Sequence, residues 1–425
     1  MFDRIISSTL FRSASVYTIA NTVNQALPFF LLPILTHYLM PEEYGLLSMF
    51  QVLVGFLNPF VGLSVFGAIR RQFYEQNTID YQSYITSCLI LILIATLITS
   101  VIIAVTSEII YHFTLFPPEW LTAVMVFVVG QVLIHVLLVL WQGEERPVSY
   151  GTFQIGRSIL NVGLSLVLVV FCGIGWKGRI VGQTGANATF ASLALWLLWR
   201  GGRLNLRINL TYIKHALKFG VPLIPHAMGV FLISMTDRLF ITNMVGIADT
   251  GIYTVGYQVG MIIGLLAASF NTAYVPWLFR NLKIESQANR LLIVRLTYGY
   301  FFLLLLGAAG LSWLGPLLIR LFMGVDYGGA TSYVLWCAFG YAFNGMYMMV
   351  TAYIFYAEKT HLLAWVTFIA VGLNVVLNYL LIKLNGPLGA AQATVITFGV
   401  KFLLTWYLSD RVRPMPWRLA PACRI

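Results

Sequence analysis

Ile85-Thr-Ser-Cys-Leu-Ile-Leu-Ile-Leu-Ile-Ala-Thr-Leu-Ile-Thr-Ser-Val-Ile-Ile-Ala-Val-Thr106 runs for 22 residues without a charge. As a helix rising about 1.5 Å per residue it reaches about 33 Å, the hydrocarbon depth of a bilayer. Comparable apolar runs lie at 15–36, 46–69, 121–141, 158–175 and 181–199 in the first half of the chain. A second set lies at 219–245, 252–278, 296–315, 331–356, 362–382 and 388–408. The stretch at 85–106 is therefore one of twelve candidate spans, and the chain reads as an all-α polytopic membrane protein.

Composition agrees. Of 425 residues 59% are hydrophobic and only 10% charged. At about 35 residues per span and short loop, the length is used up by about a dozen spans. No G-x-x-x-x-G-K-[S/T] phosphate loop occurs, which excludes ATP hydrolysis by this chain as an energy source. No outer connection is long enough for a catalytic domain, and Glu108, His112 and Glu119 in the connection at 107–120 read as solvated.

The net charge of +11 is explained by topology rather than by nucleic acid. Alternate connections carry 20 of the 26 Lys and Arg on one side and 4 on the other, with Arg238 and Lys401 left inside spans. The rich side holds both termini and is assigned to the cytoplasm, with an attraction to anionic membrane lipids. The first apolar run is too long for a signal-peptide core and lacks a small-residue cleavage pattern, so it is expected to stay attached. Cys88, Cys172, Cys337 and Cys423 are widely separated and form no C-x-x-C pair, so neither a disulfide framework nor a metal site is expected.

The halves repeat. Pro41-Glu-Glu-Tyr-Gly-Leu-Leu-Ser-Met follows the first span as Ala248-Asp-Thr-Gly-Ile-Tyr-Thr-Val follows the seventh. Val162-Gly-Leu-Ser-Leu-Val-Leu in the fifth span matches Val371-Gly-Leu-Asn-Val-Val-Leu in the eleventh, each before a glycine-bearing turn at 178–182 or 386–389. Six spans per repeat leave the copies in the same orientation, giving two pseudo-symmetric six-helix lobes around a central cavity. The expected divisions are an amphipathic N-terminus at 1–14, an N-lobe at 15–200, a basic linker at 201–218, a C-lobe at 219–408 and a basic tail at 409–425.

Tyr38-Leu-Met-Pro-Glu-Glu-Tyr-Gly and Phe219-Gly-Val-Pro-Leu-Ile-Pro, followed by Thr236-Asp-Arg-Leu-Phe-Ile, resemble oligosaccharide repeat-unit flippases of the Wzx type. That group belongs to the multidrug/oligosaccharidyl-lipid/polysaccharide exporter superfamily, and the resemblance covers essentially the whole chain. It implies transport, without enzymatic chemistry or cofactor, of an undecaprenyl-diphosphate-linked oligosaccharide from the cytoplasmic to the outer leaflet of a bacterial inner membrane. O-antigen, other lipopolysaccharide or exopolysaccharide biosynthesis would be the destination. A polymerase and a chain-length regulator are the implied downstream partners.

A carrier of such a substrate needs cations for phosphate, polar and aromatic groups for sugar, and an apolar opening for lipid. Arg238 is the first candidate for the diphosphate, with Asp237 tuning it or coupling transport to a proton or cation; alternatively the two only neutralise each other. Lys401 is either a cavity cation or a snorkelling one. Arg70 and Arg71 either capture phosphate or anchor the second span at the positive side, and Arg157 has the same ambiguity. Asn21 and Gln25, with Asn24 and Pro28 beside them, give the first helix a polar stripe for sugar or for interhelical bonds. Tyr257, with Tyr253, Gln258, Asn271 and Tyr274, makes the eighth span suitable for sugar stacking or simply aromatic. His135 is either a core histidine or a coupling site. Pro222 and Pro225, followed by His226, mark a hinge or a static kink in the seventh span.

The rival reading is a cation-coupled drug or metabolite exporter of the same superfamily, for which Asp237 would be the only acidic residue within a span. A lipid-linked peptidoglycan-precursor flippase would be expected to have two further helices. A membrane polysaccharide polymerase would need a substantial external loop, and a channel would need a filter-like segment.

Overall fold

A run as apolar as 85–106 can satisfy its backbone in lipid only as a helix. The computed structural model describes residues 24, 26–27, 29–205, 207–284 and 286–418, and among them there are helices and turns but no strand. Asn21, Gln25 and Pro28 lie outside the described residues. Among the described residues eight helices are long and apolar enough to cross a membrane, or nine when the bent pair Leu210–Gly229 and Phe231–Met244 is one span. The chain is thus an all-α, multi-pass membrane protein.

Contacts divide it into two compact units, Met1–Phe231 and Leu232–Ile425. The first contains α1 (Phe29–Tyr38), α2 (Pro41–Gly62), α3 (Val65–Phe73), α4 (Tyr81–Val105), α5 (Ser107–Thr114), α6 (Leu121–Gly143), α7 (Pro147–Leu166, continued by a π-helical turn at Val167–Phe171), α8 (Gly175–Arg200) and α9 (Leu210–Gly220). The boundary falls within α10 (Ile224–Met244). The second unit continues with α11 (Ile247–Leu282), α12 (Gln287–Phe322), α13 (Thr331–Tyr356), α14 (His361–Asn385) and α15 (Leu388–Val412).

In the first unit α8 packs against α6 and α7, and α2 against α6; in the second α13 packs against α11, α12 and α15, and α14 against α15. Central and peripheral helices differ as lipid exposure requires. The most apolar stretches of α2, α6 and α11 are 61% buried, whereas those of α7 and α12 are only 22% buried and turn their side chains outward. Leu303, Leu306 and Trp313 of α12 are exposed, a surface suited to acyl chains and not to water.

The repeated glycine turns close corresponding helix hairpins. A Cβ on Gly182 would stand 2.8 Å from the Ser165 backbone nitrogen, and one on Gly389 would meet the Leu381 carbonyl. In each unit a small residue lets two backbones touch, as membrane helices favour. Asn374 of α14 donates to Thr397 of α15 at 3.4 Å across the second hairpin.

Several boundaries differ from the sequence reading. The expected linker at 201–218 includes α9, which is capped by Asn209 accepting from the Thr211 N–H at 2.9 Å. The linker is also tied to the first unit: Arg203 grips Glu144 through two bonds of 2.7 and 2.6 Å, and Tyr84 bonds His215 at 2.9 Å. The change of unit comes at 231/232 rather than in that linker, because Phe219 packs where Gly67 lacks a side chain and Phe231 does the same at Gly55. The second span is two helices: Pro59 is followed by Leu63 and Ser64, both left-handed at φ 45° and 50°, which end α2 and start α3. α8 and α13 are 26 residues each, yet their glycines and polar or tyrosine side chains leave them outside the eight strongly apolar spans. The tail expected at 409–425 is docked over its described part: Trp417 packs on Tyr298, Tyr353 and Trp406, and its carbonyl accepts from the Tyr298 hydroxyl at 2.8 Å.

Candidate functional site

α10 carries Asp237 and Arg238 about 20 Å beyond its start, at the 1.5 Å helical rise. Charges that deep in a membrane helix must be compensated by neighbours. Both are buried, at 2% and 6% exposure, and they form an ion pair of 3.7 Å. The helix periodicity of α11 aims Tyr253 and Tyr257 at them from adjacent turns. The Tyr253 hydroxyl donates to Asp237, and the Arg238 guanidinium lies 4.5 Å from the Tyr257 ring centroid. Arg238 Nη1 donates to the Ser234 carbonyl at 2.8 Å, one turn back. From α13 the Tyr341 hydroxyl donates to the Tyr257 hydroxyl at 2.7 Å.

The outcome is a cation on an aromatic face, backed by a carboxylate that Tyr253 and Arg238 engage. Such an assembly can present positive charge and stacking surface to an anionic sugar derivative. It also satisfies the pair internally, so both readings of Asp237 and Arg238 are built into the same geometry. Tyr341 was missed by the sequence reading. Its signal is its place at i+8 from Tyr333 on α13, the same helix face, with Cys337 midway between them.

Lys401 lies apart from this cluster on α15, with Nζ 3.8 Å from the Tyr347 ring centroid. Its partner is an aromatic face of the neighbouring helix, which snorkelling alone would not require. Arg70 and Arg71 occupy the last turn of α3 and are exposed. His135 is exposed on α6 and stacks on Phe66 at 4.5 Å, so it is not the core histidine the sequence suggested. The aromatic face of Phe66 substitutes for core packing on one side of its ring. Pro222 lies in a 3₁₀ turn at Val221–Leu223 and Pro225 in the first turn of α10, where a missing N–H disturbs no helical bond.

A second polar group lies wholly in the first unit. Gln154, Arg157, Ser158, Asn161 and Ser165 share one face of α7, and Arg179, Gln183 and Asn187 share one face of α8. Of these, Arg157, Ser158, Asn161, Arg179, Gln183 and Asn187 line a cavity of about 140 Å³ with Asn24 and Gln131. The sequence leaves Arg157 ambiguous and does not single out Arg179. The four-residue polar spacing in both helices was the legible sign. Among the described residues no group of three or more His, Cys, Asp or Glu is placed to hold a metal.

Residues 10–282, well over half of the chain, match the family model described as polysaccharide biosynthesis protein. The chain belongs to that family. Two Haemophilus influenzae proteins are similar along most of their length. An "uncharacterized membrane protein" is 26% identical over 361 residues, covering 83% of this chain and 85% of that protein. The "Lsg locus putative protein 1" is 24% identical over 374 residues, covering 84% and 87%.

Solved structures share the fold of this family member. The lipid II flippase MurJ in an inward closed conformation superposes with a TM-score of 0.76 at 15% identity, over 92% of this chain and 87% of that one. An inward-facing multidrug resistance MATE family transporter of the MOP superfamily gives 0.73 at 15% identity, over 91% and 94%. The fold expected from the duplicated sequence, all-α with two six-helix lobes, is the one the chain adopts.

Proposed function

We propose that this chain is a flippase for undecaprenyl-diphosphate-linked oligosaccharide repeat units, moving them from the cytoplasmic to the outer leaflet by alternating access. It would act without chemical conversion in a bacterial inner membrane, with both termini cytoplasmic, and supply O-antigen, other lipopolysaccharide or exopolysaccharide assembly. A polymerase and chain-length regulator would take the product. The observation that carries this reading is the Arg238 guanidinium held against Tyr257 deep in a membrane helix. Family membership supplies the polysaccharide context, and the fold shared with a lipid II flippase supplies the carrier architecture.

A lipid-linked substrate also needs an apolar surface for its tail. The first unit has a groove of about 670 Å³ lined by Ile103, Leu121, Met125, Val129, Leu133 and Leu195. Its volume and apolar lining suit a prenyl or acyl chain.

The test is to deplete the protein in its host and locate the lipid-linked sugars with a membrane-impermeant probe. Accumulation on the cytoplasmic leaflet, relieved by the wild type and not by a normally inserted Arg238→Ala, is expected. Unchanged outward delivery would overturn the reading. The burial of Asp237 supports a second reading, cation-coupled export of a small molecule, as does the fold shared with multidrug transporters. In that case Asp237→Asn would abolish drug export and leave surface polysaccharide intact.

A further inference from the structure

The first unit's polar cavity presents positive charge without a matching carboxylate. Arg157 and Arg179 both line it, and among the described residues no Asp or Glu does. Among the described residues neither arginine is in an ion pair, in contrast to Arg146, Arg203 and Arg238. Arg179 donates from Nη1 to the Asn161 amide oxygen at 2.7 Å and to the Ser165 hydroxyl at 2.5 Å. Arg157 donates from Nη2 to the Gln154 amide oxygen at 3.3 Å. A guanidinium has five N–H donors, so these neutral partners leave most of each fork unused.

The rest of the wall is equally under-satisfied. Asn24 accepts from the Ser158 hydroxyl, but its buried Nδ2 donor has no partner. The buried Gln131 Oε1 also has none, and a half-turn of that amide would present its NH₂ instead. Asn187 is held in place by donating to the Phe127 carbonyl at 2.6 Å. About 140 Å³ is well beyond the roughly 15 Å³ that one water needs. Water alone would satisfy the amides but would leave two positive charges uncompensated in a low-dielectric setting.

We propose that this cavity is a binding site for one small oxyanion, a phosphate or carboxylate group held between the forks of Arg157 and Arg179. Two guanidinium forks and an unpaired amide donor match the in-plane lone pairs of an oxyanion and repel a cation. The site lies inside the first unit and is separate from the Arg238 cluster, so it does not depend on the transport reading. The group occupying it could belong to a free ion or to the diphosphate of a lipid-linked molecule.

The test is calorimetric titration of the full-length protein in lipid nanodiscs with inorganic phosphate. One saturable site per chain is expected, weakened at least tenfold in Arg157→Gln and in Arg179→Gln and unchanged in Arg320→Gln, an exposed arginine in the last turn of α12. Arg157→Lys, which keeps the charge and loses the fork, should fall between. Absence of saturable binding to the wild type, or wild-type affinity in both glutamine variants, would overturn the proposal. Should Arg179→Gln fail to fold, Arg157→Gln decides, because its side-chain bond runs only to Gln154 one turn away. Geranyl diphosphate added in competition then identifies the source: displacement of phosphate assigns the site to a lipid diphosphate, and retention assigns it to a free ion, the oxyanion site standing in either case.

Discussion

Arg238 and Asp237 were conspicuous in the sequence because charges are costly inside a membrane helix. Their partners were not, since a one-dimensional pattern does not say which tyrosine of α11 or α13 reaches them. The structure places Tyr253 on the carboxylate and Tyr257 on the guanidinium. Removing one member of a buried pair leaves the other uncompensated, at about 3–5 kcal/mol. Arg238→Gln and Asp237→Asn should therefore each lower unfolding stability in detergent by that order, and the double variant should cost less than the sum of the two. Additive losses would mean the two residues are energetically independent. Asp80 is a milder case at the surface. The Ser83 hydroxyl and backbone N–H, donating at 2.6 and 3.1 Å, hold its carboxyl below the usual carboxylate range. Its contribution to α4 is complete above the unfolded carboxylate range and fades as pH falls through the lowered folded value. Protection of the first-turn amides of α4, corrected for the intrinsic exchange rate, should fall in acid, and Asp80→Ala should show that lower protection already at neutral pH.

Helices were legible in number and approximate place because hydrophobic runs of bilayer length admit little else. Their ends were less so. α11 and α12 reach 36 residues each, extending past the apolar runs that announced them. Polar last turns look like loops in a hydropathy reading, although their helical bonds continue. The break between α2 and α3 was invisible because Leu63 and Ser64 are not residues that announce a left-handed turn. The glycine hairpins carried the clearest element-level signal, through the repeat. Gly182→Val should push α8 away from Ser165 and cost about 1–3 kcal/mol, with reduced yield of monodisperse protein. Gly163→Ala, where no atom lies within 4 Å of the added carbon, should leave yield and melting unchanged and so control for loss of glycine itself.

At the scale of the whole molecule, duplication told more than any single motif, since two equivalent sets of helices imply two units of like orientation. The precise division was not legible, because it depends on phenylalanines of 219–231 filling glycine notches in the first unit. The charge count sets a definite expectation for orientation. Cys172 is exposed in the turn between α7 and α8, on the side assigned to the exterior, while Cys88 and Cys337 are buried. A membrane-impermeant maleimide applied to spheroplasts should label the wild type and not Cys172→Ser. Labelling of Cys172 only after permeabilisation would reverse the assigned topology.

The aromatic cradle of Trp417 governs where the chain can be extended for experiments. Arg413 adds a bond to the Leu282 carbonyl at 3.2 Å, so the segment after α15 is stitched to the end of α11 and to Tyr298 of α12. A fluorescent fusion joined directly to Val412 would replace that stitching and expose Tyr298, Tyr353 and Trp406. The same fusion joined after Arg418 would leave the cradle filled, and Trp417 would remain as a built-in optical reporter of whether the second unit is intact.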